Sequence, residues 1–119
     1  MFELKESGEI RITRGDTSPE LPLFINKGSE LLPLRYHLKP YDEVCVAVMQ
    51  ANEDFETASL KKVYNANSLN EEGDVVIQFM PQDTELLNIG NYAYTVKLHN
   101  TVSGAVNTVI KATPFIIEG

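Results

Sequence analysis

The sequence predicts an all-β sandwich. Three observations carry that expectation. Short runs alternate apolar with polar residues along most of the chain, turn-forming residues punctuate the runs at regular intervals, and no stretch holds a sustained helical apolar period. The clearest run is Tyr92 to Leu98, where Tyr92, Tyr94, Val96 and Leu98 share one face and Ala93, Thr95 and Lys97 the other. About nine short antiparallel strands are expected, in a single domain over residues 1–119 and with no disulfide.

The elements follow in order. Phe2 to Lys5 and Glu9 to Arg14 alternate, with Ser7-Gly8 as the turn between them. Gly15 to Pro19 is a turn cluster. Leu21, Leu23 and Ile25 resume the alternation, and Pro22 places that segment at a sheet edge because proline cannot donate to a ladder. Asn26 to Ser29 reads as its closing turn. Leu34 to Leu38 is the next half-buried strand, stopped by Lys39 to Asp42.

Val44 to Met49 is apolar on both faces, as a central covered strand would be. Phe55 to Tyr64 fits a strand with a polar start or a short helix, and the β preference of Val63 and Tyr64 favours strand. Asn65 to Asp74 is a loop turning at Gly73, and Val75 to Phe79 is a strand with Val75, Ile77 and Phe79 inward. Pro81 to Leu87 holds one helical turn, with Asp83 or Thr84 able to cap free amides. After the Tyr92 strand, His99 to Gly104 is a loop, Ala105 to Ile110 the hairpin mate, and Phe115 to Ile117 the last strand.

Composition excludes several function classes. The 119 residues carry a net charge of -7, which repels a phosphate backbone, and Lys61-Lys62 is the one adjacent basic pair; no nucleic acid is expected. Cys45 is the single cysteine and has no partner in the chain. The start, Met1 to Ile10, has neither a basic nor an apolar leader region, and the apolar run Val44 to Met49 is too short to cross a bilayer. Synthesis in a reducing cytoplasm without membrane insertion is expected.

The chemistry of sites is sparse. His37, His99 and Cys45 lack the close pair spacing of a zinc site, so no metal and no cofactor is expected. His37 reads as a rim residue and His99 as a solvated loop residue. No Gly-x-Ser-x-Gly elbow, dinucleotide fingerprint or P-loop occurs. The acidic stretch Asn70 to Asp74 misses the calcium-loop template, with Phe79 where the bidentate glutamate belongs. Arg14-Gly15-Asp16 spells an integrin-type tripeptide but reads as a turn, since Gly15 supplies a permissive backbone and Asp16 a local acceptor.

Gly90-Asn91-Tyr92 follows Asp83-Thr84 and Leu87 at a spacing that suits a corner tyrosine, whose hydroxyl bonds backbone a few residues upstream in immunoglobulin-like folds. Its partner is expected between Thr84 and Leu87. Tyr92, Gly90, Asp83 and Thr84 are therefore the structural corner. Tyr94 stands where antibody domains carry their second cysteine, and the chain has no tryptophan, so the disulfide-and-tryptophan hallmark is absent.

Several phrases together resemble a known family. They are Arg14-Gly15-Asp16-Thr17 followed by Leu21-Pro22-Leu23, Tyr41-Asp42-Glu43-Val44, and Leu60-Lys61-Lys62. Glu72-Gly73-Asp74-Val75-Val76-Ile77 and Asp83-Thr84 through Gly90-Asn91-Tyr92-Ala93-Tyr94 complete the set. The chain resembles the N-terminal immunoglobulin-like domain of baseplate upper proteins from phages of Gram-positive bacteria and from related prophages. That resemblance implies a non-enzymatic assembly protein of a phage tail or baseplate, located in the virion. Its partners would be other tail proteins or further copies of itself. The alternative is a carbohydrate- or ligand-binding sandwich, with Tyr36, Tyr41 and Tyr64 as stacking contacts. An enzyme would need His37 or His99 beside a carboxylate in a deep pocket.

Overall fold

A computed structural model describes the backbone of residues 1–28 and 33–119 and the side chains of residues 1–25 and 36–119. The protein is mostly β. Ten strands are described: β1 Phe2–Leu4, β2 Ile10–Thr13, β3 Leu21–Leu23, β4 Ile25–Gly28, β5 Pro33–Tyr36, β6 Asp42–Met49, β7 Leu60–Asn65, β8 Val75–Ile77, β9 Gly90–Asn100 and β10 Val106–Glu118. One helical turn, α1, covers Pro81–Thr84. Six strands form a sheet in the order β1-β2-β10-β9-β6-β7, and β3-β8 and β4-β5 form two-stranded sheets. β2 runs parallel to β10, and the other pairs are antiparallel.

Alternation sets the core. Val44, Val46 and Val48 of β6 and Tyr92, Tyr94, Val96 and Leu98 of β9 turn inward, and all are buried. Ile10 and Ile12 of β2 and Phe115 and Ile117 of β10 continue that surface. Leu23, Val75 and Ile77 from the β3-β8 pair join the same core. Phe79 lies beyond the end of β8 yet is buried, because its amide is held by Ser18 Oγ at 2.9 Å. Its ring meets Phe115 edge-on with centroids 5.2 Å apart, and Phe115 meets Tyr94 in the same manner at 6.1 Å.

Several boundaries differ from the sequence expectation. Ala105–Ile110 and Phe115–Ile117 are parts of one 13-residue strand, so the strands are not uniformly short. The expected pair of strands leaves out Lys111 to Pro114, but β10 runs through them, with register shifts between Thr108 and Ile110 and between Ile110 and Thr113. His99 belongs to β9, which runs to Asn100, and it is half-buried rather than a solvated loop residue. Asn26, Lys27 and Gly28 extend β4 instead of closing a turn, since they pair with Arg35, Leu34 and Pro33. Ser29 of that expected turn, and the side-chain alternation of Leu34 and Arg35, lie outside the described residues.

β5 stops at Tyr36, short of Leu38. The segment Phe55 to Ser59 is not strand. Asp54 Oδ1 accepts the amides of Glu56 and Thr57 at 2.9 and 3.0 Å, a local turn that competes with pairing until Leu60.

Asp83 Oδ2 accepts the Met80 amide at 2.7 Å and so caps the start of α1. The same oxygen takes Lys62 Nζ at 2.7 Å. Thr84, fully buried, accepts the Gly15 amide at 2.9 Å and ties the Arg14-Gly15-Asp16 turn to the helix. Gly90 opens β9. The Tyr92 hydroxyl donates to the Asn88 carbonyl at 2.8 Å, one residue past the expected span. Tyr92→Phe is expected to lower stability by about 1 kcal/mol, the net value of one such bond. Chemical unfolding would show it as an earlier midpoint at unchanged slope; an unmoved midpoint would mean the bond contributes nothing.

Candidate interaction surface

The inward turn of Val44, Val46 and Val48 forces Glu43, Cys45, Ala47 and Met49 to the opposite, outer face of β6. Register places neighbours beside them in rows. Val63 of β7, Cys45, Lys97 of β9 and Thr108 of β10 make one row; Asn65, Glu43, His99 and Val106 make the next. Val63 is 57% exposed and Val106 55%. The two stand on opposite sides of the face, with β6 and β9 between them.

One loop reaches over this face. Phe55 lies against it, with Lys61 Nζ at 4.8 Å and Lys97 Nζ at 4.4 Å from the ring centroid. Each ammonium is drawn to the negative face of the ring. A cleft of about 360 Å³ runs beside Phe55, lined among others by Glu43, Cys45, Lys97, His99 and Val106. Burial pushes the Cys45 thiol up, with smaller opposing pulls from Lys61 and Lys97 and pushes from Glu43 and Glu56. A thiol held in its neutral form is a poor nucleophile at neutral pH.

The β9-β10 hairpin extends the same surface. Its tip is fixed by Asn100, whose Oδ1 accepts the amides of Val102 and Ser103 at 2.9 and 3.0 Å, and by Gly104 at a φ of 79°. Thr101 adds a hydroxyl bond to the Tyr41 carbonyl at 2.8 Å. Val102, 82% exposed, therefore sits on a well-bonded turn. Between Val106 and Thr113, β10 pairs with β9 on one side, while its pairing with β2 starts at Phe115. Among the described residues that stretch has an open edge, made irregular by the two register shifts and by exposed Lys111.

The tyrosines expected to stack on a ligand do not share a platform. Tyr36 and Tyr64 pack against the core, and Tyr41, 41% exposed, is the open ring of the three. The Tyr36 hydroxyl donates to the buried Asp42 carboxylate. The Tyr64 hydroxyl is buried beside the Gln78 backbone, and burial is the chief cause that pushes its phenol up. It borders an open groove of about 460 Å³ that also holds Lys62, Gln78 and Asp83.

The remaining chemistry-bearing residues are dispersed. His37, exposed, places Nδ1 3.1 Å from the Gly73 carbonyl. Asn70 Oδ1 takes the amides of Glu72 and Asp74, closing a turn at Gly73 with its φ of 81°. In the Arg14-Gly15-Asp16 turn, the Asp16 carboxylate is held by the Met1 amine. No group of three or more metal-binding side chains occurs among the described residues. None of the described helices is long and apolar enough to cross a membrane.

The outer face was missed in the sequence because its members, Glu43, Cys45, Val63, Lys97 and Val106, come from four strands. Only pairing register brings them together. Comparison with family models, curated proteins and solved structures gives no match.

Proposed function

We propose that the chain is an immunoglobulin-like β-sandwich serving as a non-enzymatic assembly module of a phage or prophage tail, similar to a baseplate upper protein and located in the virion. Three features support the finer fold reading. β2 runs parallel to β10, the β3-β8 pair buries Leu23, Val75 and Ile77 in the core shared with the large sheet, and the Tyr92 hydroxyl bonds the Asn88 carbonyl. The observation that carries the functional reading is the outer face of β7-β6-β9-β10, where Val63 and Val106 stand exposed on a regular sheet beside the Val102 hairpin tip. Rigid strands present such side chains at little ordering cost, which suits a module that holds neighbours in place.

Co-expression with the products of adjacent genes tests this. A complex that survives size-exclusion chromatography and is lost on Val106→Glu is the expected result. Wild-type protein that elutes apart from every such neighbour overturns it. The ligand-binding alternative draws its support from Tyr41, the open ring of the three. Saturable binding in a sugar titration, abolished by Tyr41→Ala, would put that alternative first.

A further inference from the structure

We infer that an extended peptide segment of a partner adds as a strand to the free edge of β10 and sets one aliphatic side chain into the cavity beside it. This goes beyond the assembly reading, because it rests on a strand edge and the interior and not on the outer face. The edge is left free where β2 stops. β2 pairs with β10 from Phe115 to Glu118. Upstream of Ile10 the chain leaves for β1 through the Ser7-Gly8 turn, where the Gly8 amide donates to the Lys5 carbonyl at 2.9 Å. Among the described residues nothing takes its place beside Val106 to Ala112, so the backbone donors and acceptors on that side are open.

The same side of the molecule holds an apolar cavity of about 120 Å³ between the large sheet and the β3-β8 pair. Its floor is buried core, with Phe79, Tyr94 and Val96 among the walls. Its mouth is Leu4, Leu21, Pro22 and Ile110, which are exposed or half-buried. Ile110 belongs to the free stretch of β10, so mouth and edge adjoin. Tyr94 brings the polar group of the lining, and its hydroxyl is already bonded to the Gly8 carbonyl at 2.6 Å. A water inside would lack the about two to four polar partners it needs, whereas an aliphatic side chain needs none. Strand addition uses both features, with main-chain bonds giving affinity and a pocket for an alternate side chain giving specificity.

Chain chemistry selects the edge and its occupant. β3 also borders the mouth, but it is three residues long and Pro22 removes a donor from it. β10 is therefore the pairing edge. A second copy does not fit. Its β10 would bring the same register shifts, which spoil a long flat pairing, and its Val109 and Ile110 pack against its own core. A net charge of -7 on each copy opposes self-association as well. Ala105 to Ile110 carries no charge. The segment that fits is short, extended and uncharged, alternating polar with aliphatic residues so that one aliphatic side chain meets the cavity mouth.

The probe is the peptide acetyl-Thr-Val-Thr-Leu-Thr-Val-Thr-amide, titrated into isotope-labelled protein and followed by amide NMR. Ordering a short peptide is costly, so saturation at roughly millimolar peptide is expected. Shifts should concentrate on Val106 to Ala112, and the amides that gain a partner there should exchange more slowly with solvent. A peptide with aspartate in place of its leucine loses the apolar burial and is expected to bind at least about tenfold more weakly. Leu4→Glu, a change at an exposed position on the mouth, should weaken the leucine peptide to a similar degree. No saturable shift at millimolar peptide overturns the inference, as do shifts centred away from this edge. An aspartate peptide that binds as well as the leucine one also overturns it, and so does Leu4→Glu protein that binds like wild type. Shifts over Val106 to Ala112 that grow with protein concentration alone would put a second copy on the edge and overturn it too. No neighbouring gene product enters this experiment, so its failure and that of the tail-assembly reading are told apart.

Discussion

Phe115→Ala is expected to lower the unfolding free energy by about 3–5 kcal/mol, the range for deleting a buried aromatic ring. Phe115 is fully buried on the inner face of β10 and is the ring that both Phe79 and Tyr94 meet edge-on. Truncation leaves a hole among residues from β9, β10 and the segment after β8, and two aromatic contacts lose their common partner. These elements are fixed by separate pairings, so the hole cannot close by a local shift. Small domains are stable by about 5–15 kcal/mol, and the loss is a large share of that. Urea unfolding followed by tyrosine fluorescence would report it. Phe115→Leu keeps most of the volume and should lose distinctly less; equal loss in both variants would argue against the cavity account.

The second large effect is expected at Asp42. This carboxylate is buried at the start of β6, where it accepts the Tyr36 hydroxyl and, at 2.9 Å, the Lys39 amide. Asp42→Ala leaves both donors without their acceptor and is expected to destabilise by about 2–3 kcal/mol. Asp42→Asn keeps one acceptor oxygen and should fall between the variant and wild type. The same contact predicts an alkaline limb. Burial first, and the Asp42 carboxylate second, push the Tyr36 phenol up to about 12 from its ordinary 10. A folded-state value above the unfolded one means that the contribution is complete below pH 10 and is lost between pH 10 and about 12. Tyr64 and Tyr94, also raised chiefly by burial, add to that limb. Tyr36→Phe should therefore flatten the fall in unfolding midpoint over that interval without removing it, and an unchanged slope would sink the assignment.

What the sequence made legible was whatever depends on period and punctuation. β9 alternates so regularly that its two faces could be named, and Tyr92, Tyr94, Val96 and Leu98 are the buried set, whereas β6, apolar on both faces, did not show which of its faces turns inward. Gly73 and the Lys39 to Asp42 turn were legible for the same reason, since turn chemistry acts over a few residues. Other features were settled by distant neighbours. Asp42 looked like a turn residue, and nothing local reveals that its carboxylate would receive Tyr36. Lys111 to Pro114 carries the composition of a break, but β9 supplies enough continuous pairing to carry β10 past it. Phe55 looked like strand until Asp54 claimed the local amides and the ring folded onto Lys61 and Lys97. The contact face follows from register, which period alone does not fix.

The parallel pairing of β2 with β10 has a consequence for how the chain is made. Ile10 pairs with Phe115, a separation of 105 residues from 115 − 10. On the ribosome, β2 can find β1 almost at once, but its other neighbour does not exist until residues 115–118 have been synthesised. The large sheet is thus completed late, through contacts far apart in sequence, and such topologies fold in about milliseconds to seconds, far slower than local ones. Until that moment the inward faces of Ile10 and Ile12 await Phe115 and Ile117.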